Sequence, residues 1–351
     1  MKINMINFVP NSIKHREVFV KEEGNFIEIK CNKIRPPRPI KIKKKLILDD
    51  KFFEIIGLYF GDGINIRNES GERRVGLANS CLKLQKIWIY FLENLGIGKD
   101  KLYAQIQIGK NIDLPSHQIF NYWVGKTQIP FQRFCKKINV KEVNTKKFGL
   151  LAANFNNGIF RPIFDNLFDF ALDLCNDNKK FNQAFLRGLF AAEGYVFVNK
   201  RESLAWLDIP IKDLDRRCFV KNLFQNIGVK STERGERLII THHKNFKICS
   251  NFGLANLHPE KSIKFKKGFL HLIKKGNVPN LSKLKIIDYL KSGAKTRFQI
   301  AQKIKKGESL VYKMLRLLEK EGIVKKGKKS KSKNGGLLIQ KWHLNTISKD
   351  Y

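Results

Sequence analysis

The chain repeats itself, and that restricts its fold more than any other feature. Gly57-Leu58-Tyr59-Phe60-Gly61-Asp62-Gly63 recurs as Gly188-Leu189-Phe190-Ala191-Ala192-Glu193-Gly194, an offset of 131 residues. Further on, Phe91-Leu92-Glu93-Asn94-Leu95-Gly96-Ile97 recurs within Asn222–Val229 with Gly96 matching Gly228, an offset of 132. Two landmarks at almost one interval define a tandem duplication, so both copies must adopt one supersecondary plan.

That plan is legible in the periodicity. In copy one, helical apolar spacing (Phe52, Phe53, Ile55, Ile56, Tyr59) runs to Gly63, a residue suited to stopping a helix. Strand-like runs follow at Ile64–Arg67 and Arg74–Ala78, then a helix at Leu82–Leu95 and a strand pair at Leu102–Ile108 and Ile119–Val124. Copy two gives a helix at Asn182–Ala192, strands at Tyr195–Asn199 and Ala205–Ile211, a helix at Leu214–Ile227 and a strand pair near Ser231–Thr241. Each unit is αββαββ, and the fold class is α+β. The expected division is a basic N-terminal extension at 1–45, repeat one at 46–140, an apolar connector at 141–180, repeat two at 181–277 and a third domain at 278–345. The extension contains Arg35-Pro36-Pro37-Arg38-Pro39, where proline excludes helix and favours extended backbone.

Charge identifies the class of partner. The 351 residues hold 68 Lys and Arg against 31 Asp and Glu, a formal net charge of +37, which calls for a polyanion and by default nucleic acid. No apolar stretch of spanning length and no long basic amphipathic helix points to a membrane. Six scattered cysteines without CxxC spacing read as buried thiols in a reducing compartment, and Met1–Val9 lacks a signal peptide's apolar core. A cytoplasmic, nucleoid-associated location is expected.

Positive charge is again concentrated near the C-terminus, where residues 280–343 carry 18 Lys and Arg against 4 acids. Helices at Leu284–Ser292, Arg297–Lys305 and Ser309–Glu321, then two strand-like runs around Gly327–Gly336, make a winged helix-turn-helix pattern. Lys313 and Arg316 on the third helix would enter a major groove, and Lys328 and Lys329 in the wing would lie on phosphates.

Chemistry is expected at the ends of the two motif helices. Gly57 and Gly61 are four residues apart, as are Gly188 and Ala192, so each helix carries a flat stripe that lets two backbones approach. Packed along these stripes, the helices would bring Asp62 and Glu193 together across a pseudo-twofold axis. Two adjoining carboxylates need a shared proton or cation, and hard oxygen donors suit Mg²⁺, or another divalent ion such as Mn²⁺. An acid near a helix C-terminus opposes the macrodipole, and its occurrence at matched repeat positions favours a functional role.

G-L-Y-F-G-D-G and F-L-R-G-L-F-A-A-E-G, each opening an αββαββ unit, resemble the LAGLIDADG homing endonuclease family in its single-chain, two-motif form, over about residues 46–275. The resemblance implies a pseudo-twofold saddle of two antiparallel sheets in the major groove of double-stranded DNA. It also implies metal at Asp62 and Glu193 with the neighbouring Gly61 and Ala192, and cleavage of both strands. Phe60 and Ala191 stand where the family motif usually has Asp, so the copies are divergent. The family also places basic side chains around its cleavage site, and Lys126 and Lys244 are the candidates here. Base readers are expected on alternate strand positions: Asn65, Arg67, Arg74 and Gln107 in copy one, and Asn199, Arg201, Arg234 and Arg237 in copy two. Trp206, Asp208 and Pro210 suit a groove reader less well.

The expected function is thus a site-specific, metal-dependent, monomeric homing endonuclease. A non-catalytic DNA-binding regulator of the WhiA type is the alternative, and an RNA intron maturase acting on intron RNA the third reading. An intein-borne form is not expected, since the chain opens on Met1 and closes on Lys349-Asp350-Tyr351.

Overall fold

The basic stretch before the first repeat is built of strands whose alternate residues point inward. The computed structural model describes residues 1–13, 15–32, 37–64, 73–142, 145–200, 202–274, 279–331 and 338–345, in two compact units, Met1–Lys266 and Lys267–Tyr351. In the first unit β1 (Lys2–Asn4) will pair with a later strand, while β2 (Val18–Glu23), β3 (Phe26–Cys31) and β4 (Ile40–Lys43) form an antiparallel sheet. Ile27, Ile29, Ile40 and Ile42 alternate into its core, the period-two pattern of a half-buried sheet. β5 (Lys45–Ile47) closes against β1.

The first motif helix, α1 (Asp50–Asp62), starts at Asp49, whose carboxylate accepts the Phe52 amide at 2.9 Å. β6 (Arg74–Asn79), α2 (Leu82–Asn94) and β7 (Tyr103–Gly109) follow as the periodicity implies. The next element does not. Ile119–Val124, read as a strand, lies in α3 (Ser116–Thr127), where Ile119, Phe120, Trp123 and Thr127 are buried. Their spacing of one, four and eight is that of one helix face, and the aromatic, β-branched content misled the strand assignment. β8 (Asn139–Lys141) and β9 (Leu150–Asn156) come next.

β9 lies inside the segment expected to be a connector, yet it is an inner strand of the first repeat's sheet, which runs β6-β9-β7-β8. β8 runs parallel to β7, so this sheet departs from the expected all-antiparallel arrangement at one edge. A strand pair starts at the other edge, with Gly63 bridged to Leu77 and the Ile64 amide on Gly76 O at 2.9 Å. The rest of that expected strand, with Asn65 and Arg67, lies outside the described residues.

The remainder of the connector is α4 (Phe160–Asp177), an amphipathic helix burying Ile163, Phe164, Leu167 and Phe168. The second repeat keeps the simple plan: α5 (Lys179–Glu193), β10 (Tyr195–Val198), β11 (Leu204–Pro210), α6 (Leu214–Asn226), β12 (Ser231–Arg234) and β13 (Arg237–Ile240). Its sheet runs β10-β11-β13-β12 and is antiparallel throughout. α7 (His243–Asn251) and α8 (Pro259–Lys274) follow. The repeated glycines after α2 and α6 serve one purpose: Gly96 and Gly228 have φ of +92° and +80°, a conformation side chains resist.

α1 and α5 form the centre of the first unit. A Cβ on Gly57 would lie 2.0 Å from Phe185 O, and one on Gly188 would lie 1.9 Å from Glu54 O. Phe185 is three residues before Gly188 and Glu54 three before Gly57, so the contact is reciprocal, as a pseudo-twofold axis requires. A Cβ on Gly61 would lie 2.4 Å from the Ala192 methyl carbon. Around the stripe, Phe53 stacks on Phe181 at 4.1 Å, Phe60 meets Phe185 edge-on at 5.3 Å, and Arg187 Nε donates to Glu54 at 2.6 Å.

The second unit is described by itself. α9 (Pro279–Lys291), β14 (Lys295–Thr296), α10 (Arg297–Ile304), α11 (Glu308–Lys320), β15 (Val324–Lys331) and β16 (Leu338–Leu344) enclose a core of Ile286, Ile300, Val311, Leu315, Leu318 and Trp342. The strands make an antiparallel β14-β16-β15 sheet, and Thr296 opens α10 with a capping box to Gln299.

Gly57→Ala should therefore destabilise the first unit by about 3 kcal/mol, since two backbones must part to admit a methyl group. Gly125→Ala, in α3 with nothing within 4 Å, should instead stabilise it by about 0.5 kcal/mol. Urea unfolding followed by circular dichroism checks both.

Candidate active site

Asp62 and Glu193 are the last residues of α1 and α5, and the close helix contact determines where they sit. Each helix then turns into extended backbone at a glycine. Gly63 and Gly194 have φ of −66° and −67°, so they do not end the helices in the left-handed region expected of Gly63. At Gly194 the need for glycine is steric, because a Cβ there would lie 2.3 Å from the Phe190 ring.

The surroundings of the two acids differ. Asn79, at the end of β6, donates from Nδ2 to Asp62 Oδ2 at 2.5 Å. Burial pushes the Asp62 carboxyl up to about 7, opposed by that hydrogen bond, raised further by the charge of Glu193 and lowered by Lys261. Burial also raises the Glu193 carboxyl, opposed by Lys261 and Arg216. Near neutral pH Asp62 is thus poised between its protonated and charged forms.

The helix ends are held by two cations. Lys261 of α8 donates to the carbonyls of Phe190, Ala191 and Ala192 at 3.1, 2.7 and 2.8 Å. Arg216 of α6 donates to Phe60 O, and its guanidinium carbon lies 3.9 Å from the Phe60 ring centroid. Both place positive charge at the negative end of a helix dipole, where it is favoured. Burial lowers the Lys261 ammonium to about 8, while Asp62 and Glu193 act to hold it charged.

Two carboxylates and the helix-end carbonyls of Gly61 and Ala192 are hard oxygen donors of the kind a divalent cation takes. Ala192 O already accepts the Lys261 ammonium. The donor set therefore fits a cation on the two carboxylates, and fits a second one at the α5 carbonyl only after Lys261 has left. Among the described residues no three His, Cys, Asp or Glu side chains cluster to hold a metal.

The other expected site residues fall in several places. Lys126 is exposed in the last turn of α3 and Lys244 is exposed at the start of α7. Neither lines the clefts beside the acids. Arg74 and Gln107 lie on the first sheet's outer face, together with Gln105, Asn139 and Asn156, by the strand register. The expected strand at Ile119–Val124 is helical, and β9 takes its place in the sheet. Asn199 is used in the β10–β11 turn, accepting the Ser203 amide on Oδ1. Arg234 and Arg237 face each other across the β12–β13 hairpin, and Arg237 is ion-paired with buried Asp208 at 2.6 Å. Lys313 and Arg316 are exposed on α11, the latter bonded to Glu319 at 3.1 Å. Arg201, and the side chains of Lys328 and Lys329, lie outside the described residues.

Asn79, Arg216 and Lys261 are the site residues that sequence reasoning missed. Lys261 stands among Lys264, Lys266 and Lys267, and nothing local distinguishes it; Asn79 directly follows the expected strand Arg74–Ala78, in line with the inward positions Val75 and Leu77, and is the one that alternation could have revealed.

The fold and this site define a tandem pair of α+β units joined through two acid-ended helices. Residues 180–249, within the second repeat, match the family model of the LAGLIDADG-like domain, so the chain carries a LAGLIDADG-like domain there. No curated protein matches the chain. Among solved structures it is similar to I-DmoI in complex with DNA and Ca, with 16% identity, 61% of this chain and 96% of that one covered, and a TM-score of 0.36. The N-terminal LAGLIDADG domain of DUF199/WhiA gives 11% identity, 60% and 84% coverage and a TM-score of 0.34. Full-length DUF199/WhiA from Thermatoga maritima gives 11%, 78% and 90%, and 0.35. Among the described residues no helix is long and apolar enough to cross a membrane.

Asp62 titrates higher in the folded protein than its ordinary 3.8, so the folded state holds its proton more tightly. The stability this contributes is present below about pH 4 and is lost as pH rises through 7. Asp62→Asn should therefore gain stability over the parent between pH 5 and pH 8 in metal-free buffer. Thermal melts across that range check the sign; a gap that does not widen with pH would contradict it.

Proposed function

We propose that the protein binds double-stranded DNA and cuts it as a metal-dependent endonuclease, with Asp62 and Glu193 as the paired acids. The observation that carries this reading is the reciprocal α1–α5 contact, which delivers one desolvated carboxylate from each copy to a shared edge where Asp62 feels the charge of Glu193. Two desolvated acids so placed, neither of them in a salt bridge among the described residues, are costly to keep for structure alone. A divalent cation bound there would activate water and neutralise the leaving oxygen.

The chain's own residues supply the remainder. Asn79 fixes one oxygen of Asp62, leaving the other to face a ligand. Asp62, near neutral in its proton affinity, can hold or release a proton at the reacting edge. Arg74, Gln105, Gln107 and Asn139 present donors and acceptors suited to base edges on the first sheet. In the second unit, α11 would enter a groove with Lys313 and Arg316 while the β15–β16 hairpin follows phosphates, the action of a winged helix. The chain would act as a monomer, because both acids come from it, and at DNA in the cytoplasm.

A second reading, a DNA-binding regulator without nuclease activity, is favoured by Lys261, which takes the α5 carbonyl and offsets the acids' charge. One set of variants separates the two. Under the nuclease reading, Asp62→Asn and Glu193→Gln should each abolish cleavage of the duplex DNA that the protein binds, with binding retained. If the parent binds that DNA and cuts nothing with Mg²⁺ or Mn²⁺, the regulator reading stands.

Deleting residues 280–351 should weaken DNA binding and flatten its salt dependence, each lost phosphate contact lowering the slope of log K against log salt by about 0.9. Titrations at several salt concentrations read this directly. An unchanged slope would make the second unit structural.

A further inference from the structure

The two sheets are related by duplication, but their outer faces have different chemistry. On the first, Arg74, Gln105, Gln107, Asn139 and Asn156 share the face turned from the helices. On the second, directly opposed pairs place Tyr195 beside Asp208, Phe197 beside Trp206, and Asp208 beside Ile239, so all five share the outer face. This face carries three rings, Tyr195, Phe197 and Trp206, where the first carries mainly amides and a single exposed ring, Tyr103. Its one carboxylate, Asp208, is held by Arg237, and one of its oxygens, Oδ1, is buried without a hydrogen-bond partner.

Tyr195 is 55% exposed and Trp206 is 40% exposed, although Trp206 stacks on Phe197 at 4.7 Å and 19°. The other three tryptophans, Trp88, Trp123 and Trp342, are at most 2% exposed. Lys261 Nζ lies 6.0 Å from the centroid of the Tyr195 ring. A cleft of about 410 Å³ beside it is lined by Tyr195, Phe197, Ala192, Lys146, Lys261 and Lys264. That volume lies within the range of small-ligand clefts, roughly 300–1,000 Å³. Lys146 in it is paired with Glu260, whereas Lys264 is exposed. Lys212, two residues past the end of β11, lines a second cleft together with Glu193.

Flat rings flanked by ammonium groups match an unpaired strand, whose bases stack on any aromatic face while its phosphates meet the cations. Bases paired within a duplex do not present their faces, and rings read their edges poorly. We propose that the outer face of the second sheet binds an unpaired nucleic-acid strand, its bases stacked on Tyr195 and the Phe197–Trp206 pair and its phosphates on Lys264 and Lys212. The inference rests on the nucleic-acid reading above and sharpens it. The substrate would carry duplex for the first sheet and unpaired bases for the second, next to Glu193.

Trp206 supplies its own probe, being the exposed one of the four tryptophans. Oligo-dT and oligo-U of about eight nucleotides should quench its fluorescence and shield it from acrylamide, and the tighter of the two identifies DNA or RNA as the source. Trp206→Leu should lower affinity for that oligomer by roughly tenfold or more while leaving duplex affinity unchanged. Tyr195→Leu should reproduce the loss, which guards against a folding defect peculiar to one variant. Duplex binding without oligomer quenching, or an oligomer affinity indifferent to both substitutions, overturns the inference and leaves the duplex reading intact. Absence of all nucleic-acid binding overturns both. Shielding of Trp206 that grows with protein concentration alone would assign the face to a second copy and also overturn it.

Discussion

The α1–α5 contact depends on the absence of two side chains. Gly57 sits against the carbonyl of Phe185 and Gly188 against that of Glu54, at distances no Cβ could occupy. Because each contact mirrors the other, the helices lie about a common axis and end side by side. Asp62 and Glu193 inherit their positions from that axis, and their raised proton affinities come from the burial it imposes. The aromatic stacks at Phe53–Phe181 and Phe60–Phe185 and the Arg187–Glu54 bond secure the same pair of helices from outside.

Symmetry in the helices is not kept in what surrounds them. Asp62 receives an amide from Asn79. The carbonyls ending α5 receive Lys261, and Phe60 O near the end of α1 receives Arg216. Both cations come from elements of the second repeat and its continuation, so the second copy supplies neutralising charge to both helix ends. The sheets diverge in parallel, one outer face amide-rich and the other aromatic. A pair of like carboxylates therefore stands in two unlike environments, an arrangement that separates the roles two acids can take.

Much of the fold was legible because the duplication let each copy check the other. α5, β10, β11, α6, β12 and β13 lie where periodicity places them. The failure at Ile119–Val124 has a definite cause. Copy one carries α3 and β8 inserted between β7 and β9, the antiparallel pair that corresponds to the β12–β13 hairpin of copy two, and a run rich in Tyr, Trp and Val within that insertion has the composition of a strand. Its buried residues follow a helix face instead. Once that strand was misplaced, β9 was left in the supposed connector, and the parallel β7–β8 edge could not be foreseen, since strand direction depends on the path of the intervening chain.

What the sequence determined by itself was local and repeated: the small-residue stripes, the acids that follow them, the glycines after α2 and α6, and a charge balance that calls for a polyanion. Those features follow from single-residue stereochemistry and spacing along one helix, which need no knowledge of distant contacts. Only the tertiary structure could show that Lys261 caps α5, that Arg216 reaches Phe60 O across 156 residues, and that Trp206 shares a face with Tyr195. Each depends on which elements come to lie side by side and in what register. One lysine among 68 basic residues becomes distinct only when the fold buries it against two acids.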